Sequence, residues 1–60
     1  MSLGQLQCEA QLLEAYGAIS YDRFSEIMLL LNLVDDGYEA DIDALWDELQ
    51  EARRVYQAQF

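Results

Sequence analysis

The chain has 60 residues, 53% of them apolar, and a formal net charge of −9 from twelve acids set against three arginines. Disordered chains combine high charge with low hydrophobicity, so this composition predicts a folded chain, and its length allows one domain, residues 1–60. One cysteine, Cys8, excludes an internal disulfide framework, and with no histidine and that single thiol a zinc site is not expected.

The first apolar stripe is Leu3, Leu6, Ala10 and Leu13, spaced by threes and fours, which predicts a helix over roughly 3–16. Gly17 follows Tyr16 and suits a left-handed helix stop. Ser20 is a good N-cap for a second helix over roughly 21–34, with Asp22 in its first turn. Ile19 and Phe24 occupy the two positions of a hydrophobic staple. Phe24, Ile27, Met28, Leu31 and Val34 form its inner stripe, but Leu29, Leu30 and Leu33 point elsewhere. A helix apolar on nearly every side is normally buried on every side, and two neighbouring helices do not suffice for that. Leu29, Leu30 and Leu33 are therefore expected to mediate self-association or docking.

Asp35-Asp36-Gly37 is the second break. The third helix is expected over roughly 39–58, with Ile42, Leu45, Leu49, Ala52 and Tyr56 as its stripe and Tyr38 and Phe60 near the same face. The expected fold is all-α, a small three-helix bundle that stands alone or is completed by dimerisation. A 60-residue domain buries only about 60% of its unfolded surface, so a partner chain is a natural source of added stability.

Catalysis is not expected. Neither histidine nor lysine is present for acid–base work or nucleophile activation. Gly17 to Phe24 followed by Ile27-Met28 is similar to the second half of an EF-hand, with Gly17 at loop position 6 and Ile19 at position 8. That register puts Leu12, Glu14 and Tyr16 at positions 1, 3 and 5 and Arg23 at position 12, where a bidentate glutamate belongs. An arginine there repels the ion, so no calcium, metal or other cofactor is expected.

The strongest signal is charge. Residues 35–51 hold Asp35, Asp36, Glu39, Asp41, Asp43, Asp47, Glu48 and Glu51 with no basic residue among them. On a helix Glu39, Asp43, Asp47 and Glu51 recur every fourth residue, each step rising about 6 Å, and centre opposite the Ile42/Leu45/Leu49 stripe. Such a row can be a solvated face that keeps an apolar protein in solution. It can also imitate a nucleic-acid backbone in a basic groove. Trp46 lies at the border of this row, a position that serves either as core edge or as a binding anchor.

Two functions follow as expectations. The first is an interaction protein that inhibits or sequesters a basic, nucleic-acid-handling partner through Asp36, Glu39, Asp43, Asp47, Glu51 and Trp46. Small acidic proteins that phages and mobile elements use against host defence, anti-CRISPR proteins among them, are similar in size and charge, though no motif here identifies such a family. The alternative is an assembly module that homodimerises or docks through the second helix. Direct nucleic-acid or anionic-membrane binding is disfavoured by the charge. The longest apolar run, Ile27 to Leu31, is too short to cross a membrane. A lone thiol fits a reducing compartment, so the cytoplasm, or the host cytoplasm for a phage-encoded chain, is the expected location.

Overall fold

The computed structural model describes residues 2–59 and consists of three helices, α1 (Leu3–Tyr16), α2 (Tyr21–Asp35) and α3 (Ile42–Ala58). It is an all-α three-helix bundle, and no strand occurs among the described residues. No helix among them is long and apolar enough to cross a membrane.

Each helix begins at a side chain that accepts orphan backbone donors. Ser2 opens α1 with a reciprocal capping box: its hydroxyl accepts from the Gln5 N–H at 3.1 Å, and the Gln5 side-chain oxygen accepts from the Ser2 N–H at 3.0 Å. Ser20 accepts from the Arg23 N–H at 3.1 Å to start α2. Asp41 accepts from the Ala44 N–H at 3.0 Å to start α3.

The first two helices end alike. Gly17, at φ 82°, donates to the Glu14 carbonyl, while Ala18 donates to Leu13. Gly37, at φ 103°, donates to Val34, and Tyr38 donates to Leu33. Both are the paired closure in which a left-handed residue turns the chain back onto the helix's last carbonyls. Glycine suits both positions because a side chain is strained at such φ values.

α3 therefore starts at Ile42, three residues later than its charge pattern suggests. The Gly37 closure sends the chain out of α2, and Asp41 supplies the cap that launches the next helix. Residues 36–41 form an exposed connection. Tyr38 lies in it, 66% exposed, and not beside the α3 core stripe where its spacing had placed it. Phe60 lies outside the described residues.

The core contains Leu6, Ala10 and Leu13 from α1, Ile27 and Leu31 from α2, and Leu45 and Leu49 from α3. Leu3, Ile19, Phe24, Met28, Leu30, Ile42, Trp46 and Ala52 pack around it, half-buried. α1 is the shared element: it packs along both other helices, which meet each other far less. The solvent-accessible surface of 4125 Å² is close to the roughly 4,000 Å² expected of a folded monomer of this mass. The chain thus closes on itself as tightly as a monomer does.

Candidate acidic interface

The three arginines are all engaged with glutamates. Arg23 grips Glu48 with two hydrogen bonds, Nε to Oε2 at 2.6 Å and Nη2 to Oε1 at 2.5 Å, and reaches Glu26 at 3.4 Å. This fork joins α2 to α3. The hydrogen bonds from Arg23 hold the Glu48 carboxyl below the usual glutamate range, against a smaller opposing effect of burial. The same hydrogen bonds raise Arg23. Arg53 reaches from α3 to Glu9 of α1, donating through Nε at 2.7 Å and also through Nη2 to the same oxygen. Glu9 is the more enclosed partner of that pair. Arg54 pairs with Glu51 on α3 itself.

These pairs redraw the acidic row. Glu48 and Glu51 are compensated, and Arg54 lies on the outer face of α3, three residues beyond Glu51 and seven beyond Asp47. Glu39 is not a helical rung, because α3 begins after it. The helical ladder therefore shortens to Asp43 and Asp47, with Glu51 capped by its arginine. The eight acids between residues 35 and 51 include these two paired glutamates; the remaining six are Asp35, Asp36, Glu39, Asp41, Asp43 and Asp47. All six are exposed, and among the described residues none has an arginine partner.

Local structure accounts for some of these acids and not for others. Asp41 caps α3 and Asp43 lies in its first turn, where negative charge meets the positive end of the helix dipole. Asp22 has the same place on α2. Asp35 and Asp36 are at the opposite pole: they close α2 at its negative end, with no basic residue in the last turn. Each opposes the dipole by about 0.3–1 kcal/mol. Helix stability therefore explains Asp22, Asp41 and Asp43 and argues against Asp35 and Asp36.

The carboxylates form a surface band rather than a cage. Among the described residues no group of three or more acids, cysteines or histidines is arranged to hold a metal ion. Trp46 is half-buried and packs against the core, so only part of its indole is free to meet a partner.

The second predicted surface divides. Leu30 is half-buried and packs on the core. Leu29 is 62% exposed and Leu33 37% exposed. On the helical wheel both lie away from Ile27 and Leu31, and neither is among the residues packed against the core.

A shallow groove of about 220 Å³ runs between Gly17 and Ala18 on one side and Ala52, Val55, Tyr56 and Gln59 on the other. Tyr16 stacks on Tyr56 nearby, with ring centroids 5.9 Å apart. Ligand pockets commonly start near 300 Å³, and this groove is open as well as small. No family model, curated protein or solved structure matches the chain.

Proposed function

We propose that the chain is an acidic interaction module that occupies a basic surface on a protein partner which handles nucleic acid, and so inhibits or sequesters that partner. What supports this is the group of six exposed carboxylates from Asp35 to Asp47, while every arginine is engaged elsewhere. Two of the six, Asp35 and Asp36, stand where they weaken their own helix, so a role outside the fold accounts for them better than folding does. The contact set is Asp36, Glu39, Asp43 and Asp47, with Trp46 at its edge and Glu51 contributing less because Arg54 holds it. Phage anti-defence proteins of the anti-CRISPR kind remain an analogy of size and charge for this mode of action.

Surface carboxylates mainly steer encounter, whereas a partly buried aromatic slows departure. Capture of basic proteins from a host lysate at low salt, lost at high salt, is the expected behaviour. The Asp43→Asn/Asp47→Asn chain should capture less, by slower association, and Trp46→Ala should dissociate faster once thermal melting has excluded a fold defect. Equal capture at low salt by the doubly neutralised chain would reduce the carboxylate band to a solvated surface.

Assembly through α2 is the second function that a specific observation favours. Leu29 and Leu33 are exposed on the side of the helix farthest from the core, and contiguous apolar surface of this kind marks interfaces.

A further inference from the structure

The outer stripe of α2 carries a charge pattern as well as an apolar one. Asp22, Glu26, Leu29 and Leu33 follow one another at steps of four, three and four, so they line a single face of the helix. All four are exposed. The stripe runs on past the helix end, because the Tyr38 N–H returns to the Leu33 carbonyl at 3.0 Å and brings Tyr38 next to Leu33. Asp36 and Glu39 lie at that end. The result is an apolar centre, Leu29, Leu33 and Tyr38, with acids at both ends. Asp22 and Asp36 are about 21 Å apart along the axis.

A second copy of the chain fits this stripe poorly. Antiparallel pairing that sets Leu29 against Leu33 of the other copy also sets Glu26 against its Asp36. Acid then meets acid at both ends of the interface, on a chain already at −9. Like charges facing each other across an interface disfavour the partner that brings them. Anionic lipid is repelled by the same acids. The complementary surface is apolar at its centre and basic at both ends.

We infer that the outer face of α2 docks a cationic amphipathic helix of a partner protein, with two apolar side chains one turn apart and lysine or arginine toward each end. This deepens the assembly function of α2, and rests on it, by naming the occupant. A helix laid along α2 at the usual 8–10 Å separation covers Leu29 and Leu33 and brings its cations to Asp22 and Glu26 at one end and Asp36 at the other. Asp36, which weakens the end of α2, then faces opposite charge, which accounts for its position.

The probe is a synthetic helix-forming peptide of about four turns with two central leucines and a lysine pair toward each end. Isotope-labelled protein should show amide shifts concentrated over residues 22–38, with micromolar affinity. Leu29→Ser and Leu33→Ser should each weaken binding about tenfold. Asp22→Asn and Asp36→Asn should weaken it at low salt and not at high salt. Asp43→Asn/Asp47→Asn should bind the peptide nearly as the parent does, which separates this site from the α3 surface. Thermal melts of each variant establish that the fold is retained. Shifts centred on α3, equal binding of a peptide with glutamate in place of lysine, or no binding would each overturn the inference. So would a dimer in sedimentation that Leu29→Ser dissociates, or leucine-dependent binding to phosphatidylcholine vesicles. The dimer result would still leave α2 an assembly surface.

Discussion

Glu48→Gln tests how much the fold depends on the fork between Arg23 and Glu48. The substitution keeps the shape of the side chain and removes the charge that Arg23 grips through two hydrogen bonds. The arginine side chain is 34% exposed and the glutamate 41%, so solvent screens the pair. A discounted contribution of about 0.5–1 kcal/mol is appropriate. In a domain this small that corresponds to a fall in Tm of about 2–8 °C. The single substitution understates the pair, because it also removes one unit of excess negative charge from a chain at −9. A double-mutant cycle with Arg23→Gln isolates the coupling. The pH dependence has a defined sign. Glu48 is held below its ordinary value near 4.5, so its contribution is complete above that value and disappears as pH falls through the depressed folded value. Melting curves of the four cycle members at neutral pH and at acid pH provide the assay. A coupling below about 0.2 kcal/mol at neutral pH, or one unchanged in acid, would refute the view that this fork ties α2 to α3.

Three further outcomes are expected. Asp47→Asn should stabilise α3 by about 0.3 kcal/mol, because it relieves repulsion from Asp43 one turn away, whereas Asp43→Asn should gain little, since it also loses a favourable first-turn charge; thermal melts compare the two. Gly17→Ala should cost about 1 kcal/mol in denaturant titration through φ strain alone, because an added methyl meets nothing within 4 Å. Leu49→Ala should cost about 2–5 kcal/mol in the same assay, while Leu29→Ser should stay within about 0.5 kcal/mol.

The core was largely legible from spacing. Leu6, Ala10 and Leu13 recur at helical steps and are buried, and so are Ile27 with Leu31 and Leu45 with Leu49. Ser20 announced the start of α2 by its chemistry and position. Two other start signals stand in the sequence: Ser2 with Gln5 three residues later, and Asp41 directly before Ile42. The Asp41 cap is what removes Glu39 from α3, since a four-residue charge repeat carries no information about where a helix begins. Leu30 could not be separated from Leu29 and Leu33 by composition. Its direction depends on where α1 lies, which is tertiary. The ion pairs were hidden for the same reason: Arg23 meets Glu48 and Arg53 meets Glu9 across 25 and 44 residues, distances over which no local pattern operates. The arginines lie outside residues 35–51 in the sequence, yet Arg23 and Arg54 pair with Glu48 and Glu51 and so define which carboxylates of that stretch remain.

The position of α1 between its two partners makes it the keystone of the molecule. Leu6, Ala10 and Leu13 are the buried stripe of the helix that packs on both others, so a change in that stripe disturbs the core that all three helices share. The outward sides of α2 and α3 carry no such double obligation. Mutational tolerance should therefore be lopsided, with the inner edge of α1 nearly immutable. The exposed faces of α2 and α3 can drift without endangering the scaffold that displays them.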